Sequence, residues 1–222
     1  MKKRGIVLGD YNTADHGWTL TGWTFTPAEQ KTNFIEKQAG DGSWDLSTAL
    51  TDDIPRYKAR TLTATFECSE STRAKREAKI REMVNLLDGM RMNIKLPDDD
   101  QHYITGRVHV ARGYNDLAHA AVTVSAVCEP WKYSNEETVV TLTASSTKET
   151  IKLRNRGRRA IVPTITVEDA NASVLLEYGN ASMAIGAGTW QWPDLLLKTG
   201  GAVLKYSGTG SFTITYREAV LE

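Results

Sequence analysis

The stretch GDGSWDLSTALTDDIPRYKARTLTATFEC, residues 40–68, decides the fold class of this chain. Its end alternates: Leu62, Ala64, Phe66 and Cys68 take one side, and Thr61, Thr63, Thr65 and Glu67 take the other. Side chains of a strand point to opposite faces in turn, so this period of two predicts a strand with one buried and one wet face. Ahead of it lie a glycine-rich turn, a Trp-Asp-Leu-Ser run and a polar loop. That order reads as hairpin, loop, strand.

The alternation returns at Ala121–Cys128, where Val122, Val124, Ala126 and Cys128 share a face. Pro130 follows in Glu129-Pro130-Trp131; it has no ladder donor and is expected to stop the strand. Between these strands the period changes. Ile80, Met83, Val84 and Leu87 fall at i, i+3, i+4 and i+7, the stripe of an amphipathic helix over 71–88. Ser71 is its expected N-cap and Gly89 its expected stop. The opposite face, with Arg73, Lys75, Arg76, Lys79 and Arg81 against Glu77 and Glu82, reads as solvated. Met92–Leu96 and Tyr103–Arg112 read as strands around the turn Pro97-Asp98-Asp99-Asp100. Short apolar segments at Ile6–Leu8 and Thr19–Phe25 add two more.

From about residue 136 the texture shifts to Thr, Ser, Val, Ile and Gly. Strands are predicted at Thr138–Leu142, Glu149–Leu153, Thr164–Val167, Val174–Tyr178, Ser182–Ile185, Ala202–Tyr206 and Ser211–Tyr216. Their regular spacing and glycine turns argue for an all-β sandwich. The polar run Ser134-Asn135-Glu136-Glu137 marks a boundary, giving domains 1–135 and 136–222.

Charge excludes some functions. The chain has 27 Lys plus Arg and 27 Asp plus Glu, so no global field steers it to DNA or an anionic membrane. Apolar residues make up 41%, ordinary for a globular protein. No apolar run is long enough to cross a bilayer. Met1-Lys2-Lys3-Arg4 is basic like the start of a signal peptide, but Gly5–Asp10 is too short for its apolar core, so such export is not expected. Cys68 and Cys128 each end a strand on the apolar parity and are read as core thiols rather than as a disulfide.

Catalytic chemistry is not apparent. His16, His102, His109 and His119 form no paired spacing, and none has a cysteine at ligand distance in sequence. Asp98-Asp99-Asp100 and Asp52-Asp53 lack the offsets of a cation loop. Nucleophile-elbow, Walker and dinucleotide glycine motifs are absent. The expectation is a protein that is no enzyme, with no cofactor and no metal. The best binding candidates are Trp190 and Trp192, two apart on one strand, which suit a sugar-stacking platform, a core cap or a protein contact. Lys152-Leu153-Arg154-Asn155-Arg156-Gly157-Arg158-Arg159 packs five cations into eight residues. They read as interface charges or, less readily for want of aromatics, as a phosphate contact.

The motifs together resemble the distal tail protein family of long-tailed bacteriophages. A "G-x-D-G … D-L-S" hairpin leading to "Y-x-x-R-x-L" is matched by Gly40, Asp41, Gly42, Asp45, Leu46, Ser47, Tyr57, Arg60 and Leu62, with the first glycine one position late, at Gly40 rather than Ala39. "C-x-P-x-x-Y" is met by Cys128, Pro130 and Tyr133, "N-x-G … P-x-I" by Asn155, Gly157, Pro163 and Ile165, and "I-x-Y-R-E" by Ile214–Glu218. The resemblance implies a mainly β fold: an N-terminal β-sandwich-like domain with one α-helix, then a C-terminal galectin-like β-sandwich. It implies a homo-hexameric hub at the virion tail tip or baseplate, synthesised and assembled in the host cytoplasm. The genome would pass its bore without specific binding. Expected partners are the tail tube protein, the tail-associated hub or spike protein, and receptor-binding or baseplate proteins, with no membrane. The alternative is a carbohydrate-binding module for cell-wall polymers, working through Trp190 and Trp192.

Overall fold

The computed structural model describes residues 5–51 and 53–222. The basic opening Met1–Arg4 and Asp52 of the Asp52-Asp53 pair lie outside them. The chain divides into a unit that runs to Lys132 and includes Glu222, and a second unit, Tyr133–Leu221. Among the described residues the fold is mainly β with one α-helix, as expected.

The first unit holds β1 (Val7–Leu8), β2 (Tyr11–Asn12), β3 (Thr19–Phe25), β4 (Phe34–Glu36), β5 (Ser43–Asp45) and β6 (Arg60–Cys68). It continues with α1 (Arg73–Leu87), β7 (Arg91–Lys95), β8 (His102–Asn115) and β9 (Ala120–Ser134), whose last two residues belong to the second unit. One sheet takes the order β2-β1-β7-β8-β9-β6-β3, while β4 and β5 form a separate two-stranded sheet. The alternation of residues 61–68 does what it predicts: Leu62, Ala64, Phe66 and Cys68 are buried, and their neighbours are not. β9 pairs along β6 from Arg60 opposite Cys128 to Cys68 opposite Ala120.

Helix α1 starts one residue later than expected. Thr72, not Ser71, is the N-cap, its Oγ1 accepting from the Lys75 N–H. Gly89 follows the helix with φ +77, a left-handed position that suits a residue without Cβ. Ile80, Met83 and Leu87 are buried in the core cluster as the stripe predicts, and Val84 packs beside them. Arg76 corrects the reading of the solvated face. It is buried and donates to Asn115 Oδ1 at 3.1 Å and to the carbonyls of Glu70 and Asp116, both at 2.6 Å. It precedes Ile80 by four residues, so it extends the apolar stripe instead of opposing it.

Pro130 does not stop β9, which runs on to Ser134. β6 begins at Arg60, opposite Cys128, so beyond that pair β6 offers no acceptor that the missing proline N–H would have to meet.

The second unit holds β10 (Thr138–Ala144), β11 (Glu149–Leu153), β12 (Thr164–Val167), β13 (Ser173–Tyr178), β14 (Ala181–Ile185), β15 (Gly188–Gln191) and β16 (Ala202–Tyr216). β16 is one strand where two were expected. Its first half pairs with β11 and β13, its second with β10 and β12, so it belongs to both layers of a sandwich. The corner is at Gly208, with φ +127, where a Cβ would fall 2.0 Å from the Ser173 carbonyl oxygen. Leu153, Ile165, Val174, Leu176, Leu204, Phe212 and Ile214 fill the space between the layers.

Candidate functional site

Residues 31–46 are exposed throughout and carry the sheet of β4 and β5. This segment is an arm, tied to the first unit at its root. The Thr26 N–H donates to the Thr61 carbonyl at 3.0 Å, and the Thr61 N–H returns a bond to Thr26 Oγ1 at 2.8 Å. Arg60 is buried there; its Nε donates to the Thr26 carbonyl at 2.6 Å, and its guanidinium lies 3.8 Å from the centre of the Phe25 ring. Burial lowers the Arg60 pKa from its ordinary value, with Glu222 and Cys128 opposing. Farther out, the Lys31 N–H donates to Arg56 O and the Lys58 N–H to Glu29 O, both at 2.8 Å. Tyr57 bridges to Gln30 and meets Trp131 edge-on at 5.3 Å.

The Asp-Leu-Ser motif closes the arm's hairpin. The Leu46 N–H donates to Asn33 O at 2.8 Å, and the Asn33 N–H donates to Ser47 Oγ at 2.9 Å. Asp45 accepts from Ser47, which holds its carboxyl below the usual range. Gly42 takes φ +77 in the reversal, and Gly40 and Asp41 complete the turn. The motif residues Gly40, Asp41, Gly42, Asp45, Leu46, Ser47, Tyr57 and Arg60 thus build one object, the arm and its root. Cys128, Pro130 and Tyr133 are spread along β9.

The arm and the loop after it expose large apolar side chains among charged ones. Phe34 is 58% exposed, Trp44 56% and Leu50 99%, with Ile35 and Leu46 also exposed. Ile35 and Trp44 face each other across the two strands and, with the 36–40 turn, line a shallow groove. Sequence reasoning read the turn and the motif but did not separate these side chains from core residues. A short apolar strand looks the same whether it packs inside or stands apart.

The other candidates fall elsewhere. Trp190, half-buried, donates its indole N–H to the Gly186 carbonyl at 3.0 Å. Trp192, just past β15, is in the core of the second unit and donates to Asp194 Oδ2 at 2.9 Å. The histidines go to separate partners: His16 to Glu82, His102 to Asp99, His109 to Asp88 and His119 to Ser69. Among the described residues no cluster of His, Cys, Asp and Glu could hold a metal ion. Asp99 is a turn residue that accepts from His102 and pairs with Lys132, while Asp53 lies 3.4 Å from Thr48 Oγ1. Cys68 and Cys128 sit at opposite ends of the β6–β9 ladder and stay free; burial pushes the Cys128 thiol up to about 11. No helix among the described residues is long and apolar enough to cross a membrane.

No family model and no curated protein matches this chain. Among solved structures it is similar to the Dit protein (gp 19.1) of phage SPP1, described as a paradigm of the hub adsorption apparatus in Gram-positive infecting phages. The TM-score is 0.69 at 14% identity, over 97% of this chain and 98% of that one. A chain of the phage P2 baseplate in its activated conformation with Ca aligns with a TM-score of 0.49 at 6% identity, over 94% of this chain and 92% of that one. The likeness to SPP1 Dit spans both units, and this chain has the fold of the phage distal tail proteins, the family its motifs resemble.

Proposed function

We propose that this protein is a non-enzymatic structural subunit of a phage tail tip or baseplate. Six copies close a ring whose bore continues the tail tube and lets the genome pass. The tail tube protein and the hub or spike protein stack on the ring, and receptor-binding or baseplate proteins attach through the second unit. The place of action is the virion, after synthesis in the host cytoplasm.

One observation carries this reading: the exposed apolar arm. An isolated two-stranded hairpin is marginally stable in water and needs something to pack against. Contiguous exposed apolar surface marks a protein contact. Ile35 and Trp44 lie opposite each other and so share a face; burying them on a neighbour would contribute on the order of 1.5–3 kcal/mol per side chain. An arm that leaves one copy and lands on a different surface of the next is a heterologous contact, which closes into a ring when the rotation permits. A chain without net charge lets such copies approach without mutual repulsion.

Light-scattering mass and negative-stain images of the purified protein, alone and mixed with tail partners, test the proposal. The expected result is a six-fold ring. The double substitution Ile35→Asp with Trp44→Ser is expected to abolish the ring and leave the melting temperature unchanged, since both side chains are solvent-facing. A native protein that stays monomeric under every condition overturns the reading, as does a variant that still closes rings.

A further inference from the structure

The segment after β11 keeps alternating beyond the strand itself. Lys152, Arg154, Arg156 and Arg158 are exposed, while Leu153, Asn155 and Gly157 between them are buried. Lys152, Arg154 and Arg156 therefore share one side of the chain, and Arg158 follows them at the bend 157–159. Where such a chain is extended, alternate residues recur about 6.6–6.8 Å apart. That interval is comparable to the spacing of phosphates along an extended phosphodiester chain.

The main chain under this row is fixed. Asn155, 1% exposed, donates its amide to the carbonyls of Arg159 and Leu197, both at 2.8 Å, and accepts from the Gly157 N–H at 2.9 Å. Its own carbonyl accepts from the Gly200 N–H at 2.8 Å. The Tyr216 hydroxyl donates to the Arg154 carbonyl at 2.6 Å, and the Arg156 N–H donates to Glu218 Oε1 at 2.9 Å. Gly157 lies so close to Ala219 that a Cβ would fall 2.4 Å from its carbonyl oxygen.

The charged heads are treated differently. Among the described residues, the side chains of Lys152, Arg154, Arg156 and Arg158 have no ion pair and no hydrogen bond. The fifth cation, Arg159, is engaged by Tyr133: its Nη1 donates to the hydroxyl at 3.0 Å. Lys152, Arg154, Asn155 and Arg156 join Thr199 and Gly200 around a concavity of about 380 Å³. Unpaired cations carried on a fixed main chain are free to make charge-assisted bonds to phosphate oxygens. No aromatic side chain lines the concavity, so a base would have nothing to stack on.

We propose that Lys152, Arg154, Arg156 and Arg158 form a binding site for a linear phosphate polymer without bases, such as a polyol phosphate, with one phosphate seated between Lys152, Arg154 and Arg156. The test is binding of the full chain to synthetic poly(glycerol phosphate), to oligothymidylate with the same number of phosphates, and to inorganic phosphate, each across a salt titration. The expected result is preference for poly(glycerol phosphate), with affinity falling as salt rises. Arg154→Gln with Arg156→Gln should weaken it about tenfold or more and flatten the salt slope by about 0.7 per cation removed. Arg154→Lys, which keeps the charge, retains most of the binding, and Arg81→Gln on α1 changes nothing. Melting temperatures should match in all variants, because these heads make no internal contacts. Four results overturn the proposal: no binding to poly(glycerol phosphate), equal or tighter binding to oligothymidylate, equal binding to inorganic phosphate, or binding that survives the double substitution.

Discussion

Trp190 and Trp192 share a parity in the sequence, yet their environments differ. Trp192 is 5% exposed and packs in the second core with its N–H on Asp194, whereas Trp190 keeps part of its ring in solvent. No residue-level pattern separates a stacking platform from a core cap, since both need a large amphipathic ring with a partner for its N–H. Truncation separates them. Trp192→Ala is expected to lose about 3–5 kcal/mol through lost contacts and a cavity. Denaturant unfolding measures the loss, and binding of the variant to cell-wall fragments should equal that of the native protein. Unchanged stability with a loss of glycan binding would reverse the assignment. Arg76 teaches a similar lesson. Its charge pointed to solvent, while its position four residues before Ile80 pointed to the core. Three acceptors that neutralise its burial lie on other segments, Glu70, Asn115 and Asp116, so only the position was readable in advance.

Elements were legible where a period met a buried face. β6, α1 and the strands of the second unit follow from alternation or from the i, i+3, i+4, i+7 stripe. Elements that owe their form to distant partners were not. β16 turns a corner at Gly208 because β13 approaches it closely, and β9 passes Pro130 because β6 has already ended; neither fact lies in the local residues. The turn between β7 and β8 shows how a polar run acquires a role from afar. Asp99 accepts from the His102 N–H at 3.0 Å and lies 3.2 Å from Lys132 Nζ, which comes from β9. Burial works to raise its pKa, but the bonds from His102 and Lys132 outweigh it and hold the carboxyl below its ordinary value. A carboxyl depressed in the folded state stabilises the protein above its unfolded pKa, about 3.9, and that gain is lost as pH falls through the folded value. Asp99→Asn is therefore expected to cost on the order of 1 kcal/mol at neutral pH, because the site is only partly screened from water. The gap between the melting curves of the two proteins should hold from pH 7 down to about pH 4 and close as pH falls on through the folded pKa of Asp99. A gap that stays constant with pH would mean that the carboxylate charge contributes nothing.

For the whole molecule, the decisive question is whether ring formation and the second unit are separable. Each unit has its own core. Phe66, Ile80, Met83, Ile94, Ile104 and Val122 belong to one cluster, and Ile165, Val174, Leu204, Phe212 and Ile214 to another, with no buried residue in both. The first unit also owns the helix that covers its sheet and the arm with its root at Thr26, Arg60 and Thr61. A part with a complete core and a complete assembly element should fold and assemble alone. We propose a boundary in the polar run after Tyr133, so that residues 1–135 form soluble material with cooperative unfolding and the same oligomeric state as the full chain. The fragment ends shortly after β9, so it keeps every residue of that strand opposite β6 and deletes none of the first core. Circular dichroism on heating and light-scattering mass decide the matter together. A folded fragment that assembles supports the division of labour between the units. A folded fragment that stays monomeric while the full chain makes rings would move part of the ring contact into the second unit. A fragment that aggregates or melts without cooperativity would show that the first core depends on residues beyond 135, and the boundary would fall.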